Sequence, residues 1–67
     1  MNHNIVEMTD DLRETTVGTT KSRNLPRALV LAADKRYGKG GWVMRRERNL
    51  TGFYARATDG RCLCLRS

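Results

Sequence analysis

From Trp42 to the C-terminus apolar and polar residues alternate. Trp42 and Met44, then Phe53, Ala55 and Ala57, then Leu63 and Leu65 recur at every second position. Val43, Arg45, Glu47, Tyr54, Arg56, Thr58, Cys62 and Cys64 fill the positions between them. Neighbouring side chains on a strand point to opposite faces, so this pattern predicts three short strands with one packed face and one that meets water or a partner. Two groups of turn-forming residues separate them: Asn49-Leu50-Thr51-Gly52, and Asp59-Gly60, where Gly tolerates the positive φ of a two-residue hairpin turn. The stretch reads as a three-stranded antiparallel meander, and the rest of the chain as its cover.

Upstream the period changes. Asn24-Leu-Pro-Arg-Ala-Leu-Val-Leu-Ala-Ala-Asp-Lys-Arg-Tyr-Gly38 predicts a helix, with Asn24 as the cap, Pro26 in the first turn where its missing donor costs nothing, and Gly38 as the stop. Leu25, Ala28, Leu31 and Ala32 recur at helical spacing as a narrow stripe of mostly small residues, suited to lying close on a sheet. Before the helix, His3 to Met8 suits a short strand with Val6 and Met8 on one side, and Thr9-Asp10-Asp11 supplies turn chemistry. Arg13 to Thr20, rich in β-branched residues, predicts a second strand. Residues 1–20 read either as a hairpin or as a mobile arm.

The element order is then strand, strand, helix, strand, strand, strand, an α+β chain. Its 67 residues form one domain with room for one thin core, and no repeat or linker divides it. No run of about 18 apolar residues and no secretory leader is visible, so the chain reads as cytoplasmic, without a membrane partner. Cys62 and Cys64, two apart on one strand, read as reduced small hydrophobes, because a bond between them would be strained. Two more ligands would be needed for a metal, and the single His3 lies near the terminus, so no metal and no other cofactor is expected.

Net charge is +6 and unevenly placed: residues 1–23 carry 3 Lys/Arg against 4 Asp/Glu, residues 24–67 carry 10 against 3. Such a balance draws a small protein to polyanions or acidic protein surfaces. Catalysis is not expected. His3 has no placed nucleophile, Asp10 and Asp11 are explained by turn capping, and Gly38, Gly40 and Gly41 follow the helix rather than open one, so they cradle no phosphate. The candidate binding residues are therefore those of the outer sheet face, Arg45, Glu47, Tyr54 and Arg56, extended by Arg48 and Arg61 near the turns. Lys35, Arg36 and Lys39 join them at the helix C-terminus, where interaction with the helix dipole explains them equally well. In the purely structural alternative, Tyr54 shields backbone and Arg56 pairs with Glu47.

The pattern Leu25-x-x-Ala28-x-x-x-Ala32, leading into Gly41-x-Val43-Met44-Arg45-x-Glu47, then Gly52, then Asp59-Gly60, resembles a small phage-borne anti-CRISPR family that blocks the type I-F surveillance complex. The match covers about 40 residues, from the helix to the end, within an insertion of one or two. The resemblance implies a five-stranded antiparallel sheet (β-β-α-β-β-β) with one helix on one face. It further implies a non-enzymatic inhibitor that sits on the guide-bearing backbone subunits of the host complex and keeps target DNA from pairing with the guide. Arg45 and Glu47 match the motif directly. Leu29, Val30, Asp34, Thr58 and Cys62 stand where the family carries basic residues, which argues for weak non-specific nucleic-acid contact. Two other readings use the same basic face: a small DNA- or RNA-binding accessory protein, and a phage inhibitor of another host machine such as RNA polymerase.

Overall fold

A computed structural model describes residues 2–48 and 51–67. The elements are β1 (His3–Met8), β2 (Glu14–Thr20), α1 (Leu25–Tyr37), β3 (Trp42–Arg46), β4 (Phe53–Ala57) and β5 (Cys62–Arg66). All five strands join one antiparallel sheet in the order β2-β1-β5-β4-β3, with the helix packed on one face, which makes this an α+β fold. The N-terminal segment is a hairpin and a full part of the sheet, because β1 pairs with β2 on one side and with β5 on the other.

Its turn is built by short polar side chains and one left-handed residue. The Thr9 hydroxyl bonds to the Asp11 carboxylate, and Leu12 sits at φ 64°. Thr9 N–H donates to the Arg13 carbonyl at 3.1 Å, which places Arg13 in the turn and starts β2 at Glu14. The β4–β5 turn differs from the expected two-residue form. Ala57 N–H donates to Arg61 O at 2.7 Å and Gly60 N–H to Ala57 O at 3.0 Å, closing a three-residue loop, Thr58-Asp59-Gly60, with Gly60 at φ 94°. A Cβ on Gly60 would also come within 2.8 Å of Asp10 Oδ1, so the two turns at this end of the sheet pack closely. In the β3–β4 turn, Asn49 and Leu50 lie outside the described residues.

The helix has the predicted ends. Asn24 Oδ1 accepts from Arg27 N–H at 3.2 Å, and Gly38, at φ 81°, donates its N–H to Asp34 O at 2.9 Å. Its buried face departs from the expected stripe: Leu29 and Ala33 are completely buried and Ala28 nearly so, whereas Leu31 is 57% exposed. Residues 28–33 are apolar throughout, so spacing alone does not select a face. The row Leu25, Leu29, Ala33, Tyr37, each four residues apart, turns toward the sheet because its last member is anchored there by hydrogen bonds described below.

Leu29, Leu63 and Leu65 are the largest fully buried side chains, each contributing about 1.5–3 kcal/mol on burial. Ala28, Ala33, Ala55 and Ala57 between them let helix and sheet approach closely, while Ile5, Val17, Leu25, Trp42 and Phe53 seal the margin. Trp42 Nε1 donates to Asp34 Oδ1 at 2.9 Å, pinning the start of β3 under the helix. Met44 lies on the same face, yet 41% exposed, because β3 is an edge strand that the helix covers only in part. Helix α1 rests over β3, β4 and β5 and makes little packing contact with β1 and β2.

Candidate functional site

Alternation along β1 puts Ile5 and Glu7 on the helix side, and Glu7 is buried there among cations. Arg36 grips its carboxylate with two bonds, Nε to Oε2 at 2.6 Å and Nη2 to Oε1 at 3.0 Å. The Tyr37 hydroxyl donates to Oε2 at 2.7 Å, and Arg61 Nη1 lies 3.7 Å from the same oxygen. Arg61 also stacks over the Tyr37 ring, 5.2 Å from its centroid, and bonds to Asp59 at 2.7 Å. The Arg36 bonds hold the Glu7 carboxyl below its usual range despite burial. Burial first, then the bond to Glu7, pushes the Tyr37 hydroxyl well above its ordinary value. Two of the expected binding residues, Arg36 and Arg61, are thus held by contacts within the fold, and Arg61 faces the helix side of the sheet, not the outer face.

On the outer face the register places Arg45 directly opposite Tyr54, with Arg56 opposite both Val43 and Cys62. Among the described residues, Arg45, Arg48 and Arg56 enter no ion pair, and neither does Glu47, so the Arg56–Glu47 pair of the structural alternative is not formed. Arg46, outside the expected set, is a fourth arginine of this hairpin without an ion pair among the described residues, but it stands opposite Phe53 and shares the parity of the helix-side Trp42 and Met44; the Arg45-Arg46 doublet was its signal in the sequence. Beside them a shallow groove of about 330 Å³ is lined by Met8, Arg46, Glu47, Tyr54, Cys62, Cys64 and Arg66.

The outer face is not uniformly wet. Val6 and Cys64, paired across β1 and β5, are each only 6% exposed. Arg66, on β5, reaches Glu14 on β2 with a contact of 2.7 Å, a diagonal that passes over that pair. Cys62 and Cys64 are both free thiols, and burial pushes both above their ordinary pKa, which keeps them protonated and poorly nucleophilic at neutral pH. Lys35 and Lys39, the remaining expected residues, are exposed near the helix C-terminus, away from the outer face.

Chemically, the β3–β4 surface offers planar cationic donors, one aromatic ring and one carboxylate, a set suited to gripping a polar macromolecular surface. Among the described residues no group of three His, Cys, Asp or Glu could hold a metal ion, and no helix is long and apolar enough to cross a membrane. Leu29, which stands where the resembled family is basic, belongs here to the core. No family model, no curated protein and no solved structure matches this chain.

Proposed function

We propose that this chain is a non-enzymatic inhibitor of phage origin, an anti-CRISPR protein that acts in the bacterial cytoplasm. It binds a CRISPR-Cas surveillance complex on its guide-bearing backbone subunits and keeps target DNA from pairing with the guide. One observation carries the reading: Arg45 and Arg56 stand beside Tyr54 on the outer face of the sheet, without ion pairs among the described residues. Arginines left unpaired keep their donors for a partner, and arginine and tyrosine are the residue types that anchor interfaces. The motif resemblance, which runs through Arg45 and Glu47, supplies the identity of the partner.

Glu47 favours a protein surface over a bare phosphate backbone, because a carboxylate amid the arginines repels phosphate and can instead accept from a partner's Lys or Arg. The test uses purified type I-F surveillance complex and a labelled target duplex. Saturating amounts of this protein are expected to prevent duplex capture, and Tyr54→Ala or Arg56→Ala to weaken that inhibition by about 2 kcal/mol or more. Undiminished capture at saturation would overturn the proposal.

A further inference from the structure

The helix covers only part of its face of the sheet. Strands lie about 4.8 Å apart and packed helices about 8–10 Å, so one helix covers roughly two strands and a five-stranded sheet has room for a second. Here α1 sits over the β3–β5 side, and the space above β1 and β2 forms two adjoining cavities of about 520 and 280 Å³. On the sheet side they are lined by the apolar Ile5 and Val17 with Thr19 and Thr20 at the edge, and on the helix wall by Ala32 and by Leu31, which stands 57% exposed. Gly18, opposite Ile5 in the register, adds no side chain and leaves the floor open.

Charge decides what fits. Arg27 and Lys35 stand on the helix wall without ion pairs, and Ser22, at one end, is flanked in sequence by Lys21 and Arg23, also unpaired among the described residues. Among the described residues no carboxylate lines either cavity. A nucleic acid would gain nothing from the aliphatic floor and finds no aromatic ring among the lining residues on which to stack a base. A second copy of this chain is disfavoured, because α1, the one helix among the described residues, carries Arg27, Lys35 and Arg36 against Asp34 alone. We infer that this groove is a docking site for an acidic amphipathic helix of a partner protein, its apolar side over Ile5, Val17, Ala32 and Leu31 and its carboxylates against Arg27 and Lys35. The groove lies on the opposite side of the sheet from Tyr54 and Arg56, so the inference stands independently of the proposed inhibition.

The test is a titration of isotope-labelled protein, followed by amide NMR, with a synthetic peptide carrying Leu on one helical face and Glu on the other. Shifts are expected at Ile5, Gly18, Ala32 and Lys35, with Val43, Tyr54 and Arg56 unmoved. Lys35→Glu and Leu31→Ser, both at exposed positions and so compatible with folding, are each expected to weaken binding about tenfold. Four outcomes overturn the inference: no binding at millimolar peptide, equal binding of a scrambled peptide, shifts on the Tyr54 face, or the same groove residues moved by a single-stranded oligonucleotide. Failure here with inhibition of the surveillance complex intact would reject the groove and leave the outer-face reading standing.

Discussion

Glu7 on β1 meets α1 through Arg36 and Tyr37, and Arg61 at the head of β5, so one carboxylate ties together segments far apart in the chain. Because those contacts favour the ionised form, the folded-state pKa lies below the ordinary 4.5. The stabilisation is therefore complete above 4.5 and is lost as pH falls through the lower, folded-state value. Arg36 is more than a third exposed, so water can take over part of its share, and Glu7→Gln is expected to cost about 1–3 kcal/mol at pH 7. Urea unfolding of both proteins at pH 7 and pH 3 checks this; a difference that fails to shrink at pH 3 would show that the charge is not what matters. The thiols give a second expectation at this level. With their pKa values raised by burial, both should alkylate more slowly at pH 7.4 in the folded than in the unfolded protein, Cys64 the slower because it is the more buried.

Helix α1 offers the sharpest contrast among the elements. Leu29→Ala is expected to cost about 2–5 kcal/mol, enough to threaten so small a domain, and Leu31→Ala no more than about 0.5 kcal/mol. Thermal unfolding of the two variants decides it, and comparable losses would return the helix to the stripe that spacing suggests. The strands were readable because a period of two leaves only two choices of face, and the helix ends because Asn24 and Gly38 act locally. The helix face was not, because Ala28-Leu29-Val30-Leu31-Ala32-Ala33 is apolar on every side. Its orientation depends on Tyr37 finding Glu7 and Asp34 finding Trp42, partners set by topology. The outer-face neighbours Arg45, Tyr54 and Arg56 followed from alternation and turn placement. Arg61 shares the parity of Leu63 and Leu65, a signal for its inward direction that its position beside a turn obscured.

Across the whole molecule, Arg13, Arg36, Arg61 and Arg66 are the only cations in ion pairs among the described residues, so most of the +6 charge stands on the surface without fixed partners. A field of that kind speeds association with any acidic partner, and its salt dependence separates the readings of the outer face. Were free duplex the true ligand, affinity would fall steeply with salt, the slope dropping by about one unit for each arginine neutralised. A grip on a protein surface rests instead on a few desolvated anchors. Tyr54→Ala should then weaken binding to the complex by about 2 kcal/mol or more at every salt concentration, and Lys39→Ala, on the exposed turn after the helix, should change it little. The second pattern is expected, since Glu47 shares the hairpin with Arg45, Arg46 and Arg48 and lowers its attraction for phosphate. Titrations of wild type and both variants, against the surveillance complex and against free duplex over a range of salt, distinguish the two. Submicromolar, sequence-independent binding of free duplex at about 150 mM salt, where non-specific binding is ordinarily no tighter than micromolar, would make this a nucleic-acid-binding protein instead.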